Sequence, residues 1–326
     1  MDDEPVFAFH QSLKLGNKTA NRSSTSHQDS VLFTLTYIQD EVVQFASARG
    51  LTHMRPLWKS YFTSDEALIA YHYRDFANAT ALARNYTDQL SIDAIEADSH
   101  EYRDILTLSA RQVLGAVQFS GTPENPLIFQ KEISSNGNTQ TVDVIFPAFP
   151  FYLYTQPKWA AYLLEPLLEH QLSGQYPNKY SMHDLGAHFP NETGHADGKD
   201  EYMPVEECGD MLIMGLALVN GLLYGDGKQS READLVLNHE QKPMMSEDTE
   251  KNVFALSLGT SASGTMGIDD DSHLAALGLK LAKRYLEPYF RLYKQWTEYL
   301  IEYSLYPHNQ LCTDDFAGWL ALQTVS

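Results

Sequence analysis

Positive charge is scarce in this sequence of 326 residues. Its 23 lysines and arginines face 43 aspartates and glutamates, which leaves a formal net charge of −20 at pH 7. Such a field repels the phosphate backbone of nucleic acids and the anionic surface of membranes, so neither is an expected partner. The composition is otherwise that of a globular chain, since 43% of the residues are hydrophobic and 12% are aromatic.

Long apolar runs and cysteines are also few. No apolar run approaches the roughly 20 residues that cross a bilayer. The acidic start MDDEPVFAF is unlike a signal peptide, so a secreted protein would be seen here without its leader. Cys208 and Cys312 are too few for a disulfide framework, and the sequence leaves open whether they form one bridge or stay as thiols.

Common cofactor and nucleophile motifs are missing as well. The sequence contains no G-x-S-x-G elbow, no P-loop and no G-x-G-x-x-G after a strand, so we predict no cofactor. One stretch combines histidines with acids: His183, Asp184, His188, His195 and Asp197. Their spacing matches neither a zinc-binding helix nor a calcium loop, and we predict no metal site.

The first 60 residues are rich in β-branched and aromatic residues. VFAFHQSLKL and SVLFTLTYIQDEVVQF predict strands, too few to close a sandwich on their own. From about residue 63, where TSDE forms a capping box, apolar residues at helical spacing predict a helix, and a second spans about 100–119. LIFQKEI, the turn SSNGNT and VDVIFPAFPFYLY together predict a hairpin-like interruption.

The rest of the chain predicts helices separated by polar loops. One helix opens at Pro157 and ends at Gly174, and another covers about 205–223. A long helix covers about 273–304 with a kink at Pro288. A last helix begins near LCTDDFAGWLA. The predicted order is therefore a small β part followed by six helices.

Two acidic clusters precede apolar helices. The glycine-rich loop MHDLGAHFPNETGHADGKDEYMP leads into a helix with Glu206 and Glu207 in its first turn, and CTDDFAG places Asp314 and Asp315 at the start of another. Acids at a helix N-terminus interact well with its dipole, which explains one such pair without function. Two pairs suggest a shared acidic cleft, because carboxylates held at different protonation suit hydrolysis by acid–base catalysis.

Two further motifs have both a structural and a functional interpretation. Arg111, in SARQVLGA, would either clamp a substrate carboxylate or pair with an acid in the core. In KEISSNGNTQTVDVIFPAFP, the polar side chains either fix a turn or bind a ligand; they are Lys131, Glu132, Asn138 and Asp143.

Glycosylation signals are more frequent than chance predicts. Five Asn-x-Ser/Thr triplets occur, at Asn17, Asn21, Asn78, Asn85 and Asn191. Random placement of these residue types would give about two. The excess favours a secreted, extracellular glycoprotein over a surface that is merely rich in serine and threonine.

Four long motifs in one order carry a family resemblance. LSARQVLGA, KEISSNGNTQTVDVIFPAFP, YSMHDLGAHFPNETGHADGKDEYMPVEECGDMLIM and QWTEYLIEYSLYPHNQLCTDDFAGWLA together resemble the fungal glutaminase A family, over about 63–220 and 293–323. The resemblance implies a mainly α fold, a partial (α/α)6 six-hairpin toroid preceded by the remnant of a β-sandwich. It assigns 1–62 to the remnant and 63–326 to the N-terminal half of the toroid, with 221–292 divergent or inserted.

The resemblance also implies a function and a site. It implies a secreted hydrolase that converts L-glutamine to L-glutamate and ammonia, with the small molecule L-glutamine as its partner. We predict catalytic roles for Asp184, Glu206, Glu207, Asp314 and Asp315, with Glu206 or Glu207 as base and Asp314 or Asp315 as acid. We predict substrate-binding roles for Arg111, His183, His195, Asp197 and Lys199.

Two other functions stay open at this point. A glycoside hydrolase of the same fold would also cut with two carboxylates, and Trp159, Trp296 and Trp319 would stack on its sugar rings. A non-catalytic carbohydrate-binding or structural module would use its acids only to cap helices. The sequence leaves the oligomeric state open.

Overall fold

The computed structural model describes residues 8–12, 30–132, 137–224 and 268–306. The described helices are α1 Asp65–Arg74, α2 Phe76–Ala97, α3 His100–Ala116, α4 Val142–Thr155, α5 Pro157–Leu172, α6 Pro204–Tyr224 and α7 Ile268–Tyr303. The described strands are β1 Val43–Ser47, β2 Gly50–Met54, β3 Val117–Thr122, β4 Asn125–Gln130, β5 Asn138–Thr139, β6 Gly186–Ala187 and β7 Asn191–Glu192. The mainly helical fold with a small N-terminal β part is confirmed, and it fits a partial helical toroid.

The N-terminal part contains a three-stranded sheet in the order β2–β1–β7, and β1 includes VQF, the end of the second predicted strand. β1 pairs with β2 in an antiparallel hairpin, and β7 joins β1 in parallel with Glu192 opposite Phe45. The strand predictions are wrong at 8–12 and 30–42, which form no strand. Leu35, in the second stretch, is 84% exposed. β propensity alone does not produce a strand, and within the described residues no strand pairs with this stretch before Val42.

The helices that follow begin at serine caps. The hydroxyl of Ser64 accepts a hydrogen bond from the backbone N–H of Ala67 at 3.2 Å, and Ser99 accepts one from Tyr102 at the same distance. The cap of α1 is therefore Ser64, one residue after Thr63, with which the predicted capping box begins. The single helix predicted there is divided at Asp75 into α1 and α2.

The apolar run VDVIFPAFPFYLY is a helix and not an arm of a hairpin. α4 buries Ile145, Phe149 and Tyr152, which recur every three or four residues on one face. A run that is apolar throughout has no period to distinguish a helix from a strand, which is why the sequence pattern misled. The hairpin is formed instead by β3 and β4, the second of which contains the predicted LIFQ.

The centre of the core lies between α4, α5, α6 and α7. The predictions of α5 from Pro157, of α6 and of a long helix α7 are confirmed, and Pro288 lies inside α7. Trp296 of α7 is fully buried, and Gly215 of α6 lets α7 approach closely, since an added Cβ would lie 2.7 Å from the ring of Tyr293. Cys208 is a buried free thiol on α6.

α6 is by length and composition apolar enough to cross a membrane, a property that it shares with core helices of globular proteins. The apolar runs in the sequence predicted no such segment. Because α6 packs against α4, α5 and α7 and carries the buried Glu207, we interpret it as a core helix.

Candidate functional site

The candidate site is formed by the loop 173–203, which connects α5 to α6, together with the first turns of α4 and α6. Short pairings hold this loop to the body of the protein, β6 to β5 and β7 to β1. Gly194 adopts φ +68°, and a Cβ there would lie 2.1 Å from Nε2 of His170. Only glycine fits both this backbone conformation and this close approach. The loop is therefore ordered at a fixed position beside the core.

Asp184 is the buried anchor of the loop. One oxygen accepts from the backbone N–H of Gly186 at 2.7 Å and from Nε2 of His195 at 2.8 Å. The other accepts from Nδ1 of His183 at 2.8 Å and from the Asn138 amide at 3.4 Å. Burial alone would raise the pKa of Asp184, but the bonds from both histidines outweigh burial and lower it to about 2. Asp184 is thus an ionised group that positions two histidines.

His183 turns its second nitrogen toward two more carboxylates. Its Nε2 lies 3.7 Å from Oδ1 of Asp143 and 3.6 Å from Oε2 of Glu201. Its backbone N–H donates to Asp200 at 2.8 Å, which fixes the main chain as well. Burial lowers the pKa of His183, but the bond to Asp184 and the charges of Asp143 and Glu201 outweigh it and raise the pKa above its ordinary value.

Glu207 lies beneath this histidine, in the first turn of α6. It is fully buried, and among the described residues neither carboxylate oxygen has a hydrogen-bond partner. One of its oxygens lies within 4.8 Å of ligand atoms of Asp143 and His183. Burial, followed by the charges of Asp143 and Asp210, raises the pKa of Glu207 well above its ordinary value. Burial therefore favours the protonated form of this acid, and a nearby positive charge would favour the ionised form.

The rim of the site carries two further carboxylates one helical turn apart. Glu206 and Asp210 are both half-buried on α6. Burial, then the charges of Glu206 and Asp143, raise the pKa of Asp210 to about 7. A group that titrates near neutral pH matches the requirement for general acid–base catalysis.

These groups form one arrangement that we call the acidic cluster. Its members are Asp143, His183, Glu201, Glu206, Glu207 and Asp210. Five carboxylates surround one imidazole, so the cluster attracts cations and repels anions. It holds Asp210, whose pKa is raised to about 7, beside a fixed histidine, and this combination suits acid–base chemistry.

Other predicted site residues lie elsewhere. Arg111 is exposed on α3 and lines a mainly apolar cavity of about 1140 Å³, to which no member of the acidic cluster contributes. Asp197 and Lys199 are exposed on the loop, where Asp197 accepts from the backbone N–H of Lys199 at 3.2 Å. His195 supports the site only through its bond to Asp184.

Several predictions fall outside the described residues. They concern Asp314, Asp315, Cys312, Trp319, Asn17 and Asn21. The remaining glycosylation candidates, Asn78, Asn85 and Asn191, are all exposed.

Sequence reasoning missed two members of the cluster and underused a third. Asp210 follows Glu206 at helical spacing, a signal that the prediction did not use. Glu201 precedes Tyr202 near the end of the loop, and no regular spacing along the sequence distinguishes it from other acids. Asp143 was placed in a predicted hairpin, where its position in the first turn of α4 was not visible.

Glu192, a second buried acid near Asp184, predicts that the stability of the fold depends on pH. Glu192 of β7 is fully buried, and burial, together with the charge of Asp184, raises its pKa to about 8. The folded state then keeps a proton that the unfolded chain releases above the ordinary pKa near 4.5, so stability falls as pH rises from there through about 8. Replacing Glu192 by Gln removes this loss, at roughly 1.4 kcal/mol per pH unit, and should stabilise the fold by several kcal/mol at pH 8.

Urea unfolding of both chains between pH 5 and pH 9 measures this effect. Glu96→Gln, on the exposed face of α2, is the matched control and should leave the pH profile unchanged. Parallel profiles for the Glu192 variant and the parent chain would contradict a proton held on Glu192.

Comparison with known proteins matches most of the chain to described families. The model of the "Glutaminase A six helical-hairpin domain" matches residues 99–230 and 259–325. A second model, "Domain of unknown function (DUF5127)", matches residues 1–93. No solved structure matches the chain.

Two curated relatives are similar over nearly the whole chain. A probable glutaminase of Arthroderma benhamiae is 55% identical over 327 residues, which cover 99% of this chain and 37% of that protein. Glutaminase A of Aspergillus oryzae is 40% identical over 321 residues, which cover 98% of this chain and 37% of that protein. The chain therefore spans little more than a third of the length of these relatives.

Proposed function

Because the chain belongs to the glutaminase A family, we propose that it is part of a secreted glutaminase that converts L-glutamine and water to L-glutamate and ammonia. The observation that carries the proposal is the acidic cluster, held at the start of α6 by the loop that Asp184 anchors. Both relatives are named glutaminases, and the cluster supplies groups suited to hydrolysis of an amide.

Amide hydrolysis needs a base that activates water and an acid that protonates the departing ammonia. Glu206 or Glu207 is proposed as the base, and Asp210, which titrates near neutral pH, joins them as a proton carrier. The acid role proposed for Asp314 or Asp315 is kept as a prediction from the sequence.

The developing oxyanion also needs a positive or polarising group. His183 has that position, because Asp184 fixes its ring and leaves Nε2 directed toward the acidic cluster. The negative field of the cluster also attracts the ammonium group of an amino-acid substrate. Secretion is supported by the exposure of Asn78, Asn85 and Asn191.

The sugar-cleaving alternative loses support from the structure. Trp296 is fully buried, so its ring is not available to a sugar, and Trp159 lines the cavity beside Arg111, away from the acidic cluster. An acidic pair on a six-hairpin fold still suits a glycoside hydrolase, which makes sugars the correct comparison in the assay.

The test is ammonia release from L-glutamine by this chain and by a version extended to the length of the curated relatives. We expect release by the extended version, and activity there alone would mean that the remainder of the protein completes the site. No ammonia from either version, together with cleavage in a panel of oligosaccharides, would overturn the proposal.

A further inference from the structure

We propose that Asp143, His183 and Glu207 bind a divalent metal ion of the zinc or manganese type. Each offers one ligand atom, and the three atoms lie within 4.8 Å of one another. By plane geometry, a single point lies within about 2.8 Å of all three, slightly beyond the bonds of roughly 2.0 to 2.6 Å that zinc and calcium form. A small inward movement of the side chains completes the site. No spacing along the sequence indicates this site, because the three residues come from α4, the loop and α6.

The orientation of His183 is the first observation in favour of an ion. Histidines that bind metals usually donate their other ring N–H to a carboxylate, which fixes the tautomer and directs the ligand nitrogen. Nδ1 of His183 donates to Asp184 in this way at 2.8 Å, and Asp184 is held in turn by His195 and the backbone of Gly186.

The spacing around the other ring nitrogen is the second observation. Nε2 of His183 lies 3.7 Å from Asp143 and 3.6 Å from Glu201, too far for a hydrogen bond. Two ligands of a tetrahedral zinc ion are separated by about 3.4 Å, so an ion fits between these atoms with little movement. Glu201 is placed to serve as a fourth ligand.

Glu207 provides an independent observation. It is fully buried and directed into the group, and within the described ranges neither of its oxygens has a hydrogen-bond partner. Burying a carboxylate without a partner is costly, and such groups are normally paired or bound to a metal. A cation between Glu207, Asp143 and His183 removes this cost.

The ligand types select among cations. Calcium and magnesium prefer sites built entirely from oxygen, whereas an imidazole with carboxylates suits zinc and also accommodates manganese. For the proposed hydrolysis, an ion here would polarise the amide carbonyl and leave proton transfer to Glu206 and Asp210. The proposal of binding does not depend on that role.

Binding is tested on the chain after treatment with EDTA and removal of the chelator, by calorimetric titration with zinc chloride and manganese chloride, with calcium chloride for comparison. We expect about one zinc or manganese ion per chain and a rise in Tm on binding. Glu207→Gln and Asp143→Asn should each weaken binding by roughly a hundredfold or more, and Glu96→Gln should not. Near-UV circular dichroism checks that each variant is folded, and if the Glu207 variant unfolds, the Asp143 variant decides.

The absence of saturable zinc and manganese binding by the folded parent chain would overturn the proposal. Equal binding by the Asp143 and Glu207 variants would also overturn it, because the ion would then lie elsewhere. If the EDTA-treated chain binds L-glutamine but no metal, the cluster instead receives the ammonium group of the substrate. Because ammonia release is assayed separately, metal binding without activity would overturn only the proposed function.

Discussion

Replacing Glu207 by Gln is expected to lower the kcat/KM of glutamine hydrolysis by roughly 10²- to 10⁴-fold in the extended protein. The amide has the shape of the carboxyl group but does not ionise, so it cannot act as a base and is a poor ligand for a cation. The fold should be about as stable as before, since the amide keeps the size of the acid and introduces no buried charge. Loss of activity without loss of stability is the expected sign of a functional residue.

The measurement combines ammonia release with urea unfolding of the same preparations. Glu96→Gln is the control for replacing an acid at an exposed position and should change neither result. Near-normal turnover by the Glu207 variant would contradict its place in the site. A fall in activity that merely follows the fraction of unfolded protein would indicate a structural role.

Part of the candidate site was predictable because it lies in one stretch of sequence. His183, Asp184 and Glu207 belong to a glycine-rich loop and the helix turn after it, and their density of titratable groups marks them. The contacts between residues that lie far apart in the sequence were not predicted. Asp143 meets Glu207 only because α4 and α6 pack together, and no spacing along the chain expresses that contact.

Burial also separates residues that look alike in the sequence. Glu206 and Glu207 are neighbours of the same type in one helical turn, yet only Glu207 is fully buried. The helical period places them on different faces of α6, but which face meets the core is decided by α4 and α7. The pKa of Asp210, raised to about 7 by burial and then by the charges of Glu206 and Asp143, likewise depends on two different helices.

Elements of the fold were likewise predicted correctly where local sequence signals determine them and wrongly where distant neighbours do. α5 was predicted correctly because Pro157 and Gly174 mark its ends, and both signals act locally. α4 was assigned wrongly because a uniformly apolar run fits a strand or a helix until its neighbours are known. The residues at 30–42 have strand-forming side chains, but in the part of the chain that the structure describes they form no strand.

Replacing Asp184 by Asn is expected to destabilise the fold by about 3 kcal/mol at pH 5 to 6, because it removes the charge that two partly buried histidines share. The pKa of Asp184 is lowered, so its contribution is present above the ordinary value of 3.8 and is lost as pH falls toward about 2. The pKa values of His183 and His195 are raised, so their contribution is present below 6.5 and is lost as pH rises through the raised values.

The difference in unfolding free energy between the parent chain and the Asp184 variant should therefore be largest between about pH 4 and pH 6.5. The difference should become smaller below and above this range. Urea unfolding across pH 3 to 9 measures it, with Asp88→Asn on the exposed face of α2 as the control. The pKa values of His183 and His195, followed by NMR, should fall in the variant, which a general loosening of the loop would not produce selectively. A difference in stability that does not vary with pH would show that Asp184 acts through its shape and not its charge, and the histidine that faces the acidic cluster would then need another source of orientation.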